Sequence, residues 1–190
     1  MYLLLIGMAL FFGIHSIGIV ASEWRDRMAL NLGALVWRGG YSLLSLAGFL
    51  LMLHGYALSR AAPEVWYVPP VALHHVTRLL MLPVFPLLLA AYLPGRLQTA
   101  AKHPMLAAVK FWALAHLLAN GNAGDVLLFG GFLAWAVVDR ISLKRRPQRR
   151  IAGASPGKWN DLVAIVGGLA LYLLFVAGLH QRLFGVSPLA

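Results

Sequence analysis

Residues 2–21 read YLLLIGMALFFGIHSIGIVA, a run without a single charged side chain. A helix needs about 20 apolar residues to cross the hydrocarbon core of a bilayer. No Lys or Arg precedes the run, and it is longer than the apolar core of a secretory signal. The stretch therefore predicts a retained membrane helix rather than a cleaved leader.

The composition of the whole chain extends this prediction. Of the 190 residues, 61% are hydrophobic and only 12% are charged, and the mean hydropathy is +0.77. Soluble domains contain roughly 25% charged residues. A cytosolic enzyme, a disordered segment and a disulfide-rich secreted domain are therefore excluded. Because the chain has no Cys, iron–sulfur clusters, thiolate nucleophiles and Cys-ligated zinc are excluded as well.

Further apolar stretches predict an all-α, polytopic membrane protein with a single bundle of six transmembrane helices, in one domain over residues 1–190. Pro83 and Pro86 predict a kink in the third span. The turn sequence Asn120-Gly121-Asn122 predicts that the fourth and fifth spans form a helical hairpin. The predicted spans are Tyr2–Ala21, about Leu35–Leu58, about Val71–Leu93, His103 to about Ala119, about Gly124–Val138 and about Asp161–Leu179.

The Lys and Arg residues predict the orientation, because cytoplasmic loops are enriched in positive charge. On the opposite side of the predicted bundle lie only Arg60, Arg78 and Arg182. Both termini are therefore predicted outside, with a basic cytoplasmic loop over about 139–160. The other basic residues fall on the cytoplasmic side: Arg25, Arg27, Arg38, Arg96, Lys102, Lys110, Arg140, Lys144, Arg145, Arg146, Arg149, Arg150 and Lys158.

A net charge of +10 can indicate nucleic-acid binding. The one candidate segment for such binding is Arg140–Arg150. No aromatic residues alternate with its basic residues. We interpret the segment as a loop on anionic lipid, where each basic residue contributes about 1 kcal/mol. Membrane lipids are thus expected partners, and nucleic acid is not.

Histidine is the side chain best suited to bind a metal or take part in a reaction inside the predicted bundle. The six carboxylates fall at predicted helix ends or in loops, which argues against proton-coupled transport and paired-carboxylate hydrolysis. His15 and His116 are predicted about 10 Å and about 16 Å above the inner boundary of the membrane. Two imidazoles at similar depth could bind one haem iron from opposite faces. The alternative is a pair of core histidines bonded to carbonyls, or to Ser16 and Asn120.

The remaining histidines form a second predicted group near the outer helix ends. Its members would build a metal site or a substrate vestibule, or they are interface residues that reach headgroups. A membrane arginine needs a partner, and a haem propionate, a lipid phosphate or Asp125 would serve Arg78. His103 precedes Pro104 and predicts a helix start. The group consists of His54, His74, His75, Arg78 and His180.

A family resemblance rests on motifs spread over nearly the whole chain. The longest runs from His103-Pro104-Met105 through Phe111-Trp112-Ala113-Leu114-Ala115-His116-Leu117-Leu118-Ala119-Asn120-Gly121 to Leu128-Phe129-Gly130-Gly131-Phe132-Leu133-Ala134-Trp135. In this motif and in several shorter ones, the chain resembles the NnrU family. The shorter motifs are His15-Ser16, Trp24-Arg25, Trp37-Arg38-Gly39, Tyr41-Ser42-Leu43, Val68-Pro69-Pro70, His74-His75 and Tyr92-Leu93-Pro94-Gly95-Arg96.

The resemblance implies a multi-pass protein of the bacterial inner membrane, linked to nitrite and nitric oxide reduction. A nitric oxide reductase or another respiratory component would be its partner. The family is also similar to plant ζ-carotene isomerase, which holds haem b between two histidines. By that likeness His15 and His116 match the iron ligands. Helical spacing places Trp112 and Asn120 on the face that carries His116, where they would line the bound haem. The isomerase carries a Cys where this chain has Ala113, which argues against a redox-gated exchange of Cys for His.

Two functional hypotheses follow from the resemblance. One is a haem b protein of denitrification that acts as a redox, nitric oxide-binding or accessory component. The alternative is a haem-dependent cis–trans isomerase or redox enzyme that acts on a lipid-soluble polyene, such as a carotenoid precursor; an apolar small molecule would then be its ligand. A haem-free scaffold with hydrogen-bonded histidines is a third interpretation.

Overall fold

The structure, a computed structural model, describes residues 1–146 and 153–189. Within these ranges the chain forms helices and no strand, apart from one isolated antiparallel bridge between Val65 and Asn122. The all-α prediction is confirmed. The helices are α1 (Tyr2–Val20), α2 (Ser22–Leu32), α3 (Ala34–Ala61), α4 (Ala72–Met81), α5 (Val84–Ala90), α6 (Arg96–Ala101), α7 (Pro104–Ala119), α8 (Ala123–Ser142), α9 (Asn160–Leu174), a π-helical segment (Phe175–Leu179) and α10 (His180–Phe184).

The chain divides into two compact units, each considered by itself. Unit 1 comprises residues 1–67 and 121–146, with α1, α2, α3 and α8. Unit 2 comprises residues 68–120 and 153–189, with α4 to α7, α9, the π-helical segment and α10. A single transmembrane domain over residues 1–190 stays a prediction.

In unit 1, α1 packs closely along α3. A Cβ atom at Gly7 would collide with the backbone of Met52, and one at Gly55 would collide with the backbone of Leu4. Small residues let apolar helices approach within backbone contact, where dispersion replaces the hydrophobic driving force that lipid removes. Leu4 and Met52 are the largest fully buried side chains among the described residues. The α1–α3 pair is therefore the packing centre of unit 1.

In unit 2, α5 packs against α7 and α9, and α4 packs against α7. Val84, Leu87 and Ala108 form a buried cluster. The Thr77 hydroxyl donates a 3.0 Å hydrogen bond to the carbonyl of Ala115, which links α4 to α7. This packing holds α7, the helix that carries His116, on two neighbouring helices.

In the part of the chain that the structure describes, four helical segments are long and apolar enough to cross a membrane: Tyr2–Val20, Ala34–Ala61, Ala72–Ala90 and Asn160–Phe184. They correspond to the first, second, third and sixth predicted spans. The helix over Pro104–Ala119 is apolar but shorter, and α8 ends among charged residues. Six membrane crossings therefore stay a prediction, while four candidate spans are found.

Three local features differ from the predicted spans or add detail to them. The third span is interrupted at Leu82 and Pro83, between α4 and α5, as expected from the lost backbone donor of proline. A stretch predicted as loop forms α2, over Ser22–Leu32. Helix α8 continues to Ser142, past the predicted end of the fifth span at about Val138, and the basic cytoplasmic loop over about 139–160 stays a prediction. The fifth span was predicted to end just before the charged residue Asp139. Arg146 pairs with Asp139 and neutralises its charge. Arg149 and Arg150 lie outside the described residues.

Candidate functional site

His15 lies in α1 of unit 1, and a backbone contact sets the orientation of its ring. Its Nδ1 donates a 2.7 Å hydrogen bond to the carbonyl of Phe11, one turn earlier. Because a carbonyl oxygen can only accept, Nδ1 carries the proton of the neutral ring. The lone pair, which binds metals, then lies on Nε2. The structure therefore gives His15 a carbonyl partner rather than Ser16.

Aromatic rings surround His15 on three helices of unit 1. The Phe11 ring stacks on it at 4.1 Å between centroids, Tyr41 of α3 lies at 5.4 Å, and Trp135 of α8 stands perpendicular at 6.0 Å. The indole Nε1 of Trp135 is buried and has no hydrogen-bond partner among the described residues. A buried donor of this kind requires an explanation, and a bound acceptor is one.

His116, in α7 of unit 2, repeats the local geometry of His15. Its Nδ1 donates a 2.8 Å hydrogen bond to the carbonyl of Trp112, and the Trp112 ring lies 5.3 Å from the imidazole. The lone pair of the neutral ring again lies on Nε2. The amide of Asn120 donates to the backbone carbonyl of His116 at 2.8 Å, so Asn120 contacts the main chain of this histidine.

Unit 2 also brings together two histidines that the sequence assigned to different groups. The ring of His180 lies 6.4 Å from the ring of His116 between centroids, with an interplanar angle of 31°. The Nδ1 of His180 donates a 2.7 Å hydrogen bond to the carbonyl of Val186. His180 is thus a neighbour of His116, a relationship that linear depth estimates did not predict.

The predicted outer group draws its members from both units, so its assembly into one site stays a prediction. His54 is an exposed residue of unit 1, whereas His74, His75, Arg78 and His180 belong to unit 2. Over residues 1–146 and 153–189, no group of three or more His, Asp or Glu residues is arranged to hold a metal ion. A metal site built from the whole outer group is therefore not found in the described residues.

Arg78 has protein partners within unit 2. Its Nη2 donates to Nδ1 of His75 at 2.7 Å, and its Nη1 donates to the carbonyl of Pro188 at 3.3 Å. The Tyr172 hydroxyl donates to the backbone carbonyl of Arg78 at 3.2 Å. The arginine therefore links α4 to the C-terminal tail and needs neither a lipid phosphate nor a propionate to be paired.

Sequence reasoning missed a buried carboxylate at the start of α8. Asp125 is only 3% exposed, and it accepts hydrogen bonds from the Tyr56 hydroxyl at 2.5 Å and from the Asn122 amide at 3.0 Å. Desolvation and this carboxylate hold the pKa of Tyr67 above its usual range. The signal was present, because Asn122 and Asp125 have the spacing of an N-cap residue and an acid three positions later. Asp125 thus has partners other than Arg78.

The predicted helix start at His103 is confirmed, since α7 begins at Pro104 with His103 as its N-cap residue. Among known proteins, no curated protein and no solved structure matches the chain. The family model described as "NnrU protein" matches residues 3–188, nearly the whole chain. On this match, the chain belongs to the NnrU family.

Proposed function

We propose that this NnrU protein is an integral membrane protein that binds haem b with His15 and His116 as iron ligands. It would act in nitrite and nitric oxide metabolism as a redox, nitric oxide-binding or accessory component. The observation that carries the proposal is the shared geometry of the two imidazoles. Each fixes Nδ1 on the carbonyl one turn earlier and directs its lone pair to Nε2, as metal-ligating histidines do.

The surfaces of the apolar helices support a membrane location. Large apolar side chains stay exposed along the candidate spans, among them Leu43, Leu46 and Leu173. A soluble protein does not leave so many apolar side chains in water, whereas lipid tails solvate them. We place the chain in the bacterial inner membrane, with both termini outside and the basic loop in the cytoplasm, where charge asymmetry would hold it.

The side chains around the two histidines fit a flat, apolar ligand with polar edges. Phe11, Tyr41 and Trp135 surround His15, and Trp112 flanks His116. The N–H of Trp135, which has no hydrogen-bond partner among the described residues, would donate to an acceptor on the bound group. Haem b would supply one-electron redox chemistry and affinity for diatomic gases.

One residue separates this proposal from polyene isomerisation. Ala113, one turn before His116, is fully buried and offers no thiol in place of the Cys of the plant isomerase. We therefore favour electron transfer, gas binding or an accessory role beside a nitric oxide reductase or another respiratory component.

The test is haem loading of the detergent-purified chain. Wild-type protein supplied with haem is expected to give a Soret band with one haem per chain and the spectrum of a six-coordinate iron. His15→Ala and His116→Ala should each lose most of this absorbance. The control is His103→Ala, which removes an imidazole at the start of α7 and should keep the haem.

Size-exclusion chromatography of each variant separates loss of haem from loss of folding. His15→Phe and His116→Phe, which keep an aromatic ring in place of each imidazole, serve as second variants. A wild-type chain that binds no haem, or full retention of haem by both His15→Ala and His116→Ala, would contradict the proposal.

A further inference from the structure

We propose that a groove in unit 2 binds the phosphate of an anionic phospholipid between Arg96 and Lys158. The groove is lined by two segments, residues 94–100 and 156–161, and has a volume of about 870 Å³, within the range of small-ligand pockets. We call it the basic groove. It rests on the membrane location of the chain and uses neither of the proposed haem ligands.

Hydrogen bonds hold the two sides of the basic groove together. The side-chain amide of Asn160 donates to the carbonyl of Pro94 at 2.8 Å and to the carbonyl of Ser155 at 3.0 Å. The backbone N–H of Ala154 donates to the carbonyl of Tyr92 at 2.8 Å. The loop before α9 is thus attached to the loop after α5, and the fold itself forms the groove.

The charges that line the basic groove favour an anion. Among the described residues of the lining, Arg96 and Lys158 are the cations and Asp161 is the one carboxylate. The two carboxylate oxygens of Asp161 accept backbone N–H groups of Arg96 and Leu97, both at 2.9 Å. The two cations are exposed and come one from each segment. Two cations against one carboxylate leave a net positive charge, which suits a phosphate.

The uncharged polar side chains of the lining donate within the protein. The Gln98 amide donates to the carbonyl of Ala91 at 3.2 Å, and the Thr99 hydroxyl donates to the carbonyl of Gly95 at 3.0 Å. Charge-assisted hydrogen bonds are the strong ones, and both guanidinium and ammonium groups bind phosphate. The two cationic side chains are therefore the donors that would hold the ligand.

The basic groove lies where two candidate spans reach the membrane boundary. The span Ala72–Ala90 ends shortly before its first segment, and the span Asn160–Phe184 begins within its second. Exposed Tyr92 and Trp159 flank it in sequence, and such rings are enriched at the level of the lipid headgroups. The Nζ of Lys158 lies 5.4 Å from the centroid of the Trp159 ring, which places this cation at the same level.

This position selects a phospholipid over free phosphate. Large apolar side chains stay exposed on the first turns of α9, among them Leu162, Val163 and Val166. A phospholipid can place its phosphate in the basic groove while its acyl chains cover apolar helix surface. Free phosphate gains the charge contacts alone. The charge and the level of the groove together therefore identify the ligand as an anionic phospholipid.

The experiment measures lipid binding to the delipidated full-length chain in detergent by native mass spectrometry. Dioleoyl phosphatidylglycerol is compared with dioleoyl phosphatidylcholine, which has the same acyl chains and a zwitterionic headgroup. We expect the wild type to bind one phosphatidylglycerol more tightly than phosphatidylcholine. Arg96→Gln combined with Lys158→Gln should weaken phosphatidylglycerol binding about thirtyfold, since each cation near an anionic headgroup contributes a factor of about five. Arg96→Lys combined with Lys158→Arg keeps both charges and should lose much less.

The matched control removes two other exposed cations. Arg27→Gln combined with Arg38→Gln changes unit 1 by the same charge, on the same predicted side of the membrane, and should leave phosphatidylglycerol binding unchanged. Inorganic phosphate in large excess should not displace the lipid. Size-exclusion chromatography of each variant confirms that the chain is folded.

Three outcomes would overturn the basic groove as a lipid site. They are equal wild-type affinity for the two lipids, equal losses in the two double Gln variants, and displacement of phosphatidylglycerol by inorganic phosphate. Haem loading separates this inference from the proposed haem function, because the Arg96→Gln, Lys158→Gln chain should load haem as the wild type does. A chain that prefers phosphatidylglycerol but binds no haem contradicts only the haem proposal.

Discussion

The Tyr56 hydroxyl donates a 2.5 Å hydrogen bond to the carboxylate of Asp125, which lies 69 positions later in the chain. This bond ties α3 to the start of α8 in unit 1. A carboxylate that is 3% exposed is costly to bury unless it is hydrogen-bonded. Tyr56 and Asn122 together meet that requirement, so the contact stabilises the end of a helix that also carries Trp135.

The first prediction concerns this bond. Tyr56→Phe keeps the ring, which packs near Phe129, and removes only the hydroxyl. Hydrogen bonds to charged groups contribute about 1.5–3 kcal/mol, so we expect a loss of about 2 kcal/mol in the free energy of unfolding. Thermal unfolding in detergent measures it. Tyr2→Phe, at a residue 84% exposed, is the matched control. Equal stability of the two variants would contradict a stabilising role for the bond.

The second prediction concerns the C-terminal tail of unit 2. Arg78→Ala removes the donor to the Pro188 carbonyl and the bond to His75. These groups are partly solvated, so we expect a modest loss of about 1 kcal/mol and faster cleavage of the tail by added protease. Arg182→Ala, an exposed arginine of α10, should leave the cleavage rate unchanged. An unchanged rate in Arg78→Ala would show that the arginine does not hold the tail.

Much of the fold could be predicted because apolar runs report directly on helices in lipid. The boundaries of α1 and α3 fall within a few residues of the predicted spans, and Pro83 interrupts the third span as expected. Helix α8 extends past about Val138, where the fifth span was predicted to end. Asp139 pairs with Arg146, seven positions later and just beyond the end of α8, so the first charged residue after an apolar run does not mark the end of this helix.

The candidate site was predictable only in its local part. A histidine inside an apolar helix stands out, and its bond to the carbonyl four residues earlier follows from helix geometry. The approach of His180 to His116 depends on how the kink at Gly178, which has φ +145°, turns the chain, and no spacing in the sequence encodes that turn. The bond from Tyr56 to Asp125 likewise joins two distant segments of unit 1, whereas the Asn122–Asp125 spacing marked the helix start.

The third prediction concerns orientation in the membrane. A reporter fused after Arg150 and one fused at Ala190 should lie on opposite sides, since one candidate span, Asn160–Phe184, lies between them. The first should report the cytoplasm, because basic loops stay inside. Replacing Arg140, Lys144 and Arg145 by Gln should weaken this preference. Arg146, which pairs with Asp139, is left unchanged. Both wild-type reporters on one side would contradict the topology.

The fourth prediction compares two glycines of α1. A methyl group at Gly7 would collide with the backbone of Met52 in α3, whereas a Cβ at Gly13 meets nothing within 4 Å. Gly7→Ala must therefore push two packed helices apart, and overpacking of this kind costs about 1–3 kcal/mol. Gly13→Ala adds no collision and should gain up to about 1 kcal/mol, because alanine favours the helix over glycine.

The two substitutions change the chain by the same methyl group in the same helix, so opposite signs cannot come from hydrophobicity or helix propensity. Thermal unfolding in detergent should show a lower midpoint for Gly7→Ala and an equal or higher midpoint for Gly13→Ala. Gly55→Ala, which meets the backbone of Leu4 from the α3 side, should repeat the loss. If Gly7→Ala and Gly13→Ala shift the midpoint equally, α1 and α3 do not touch at Gly7. The packing centre assigned to unit 1 would then be wrong.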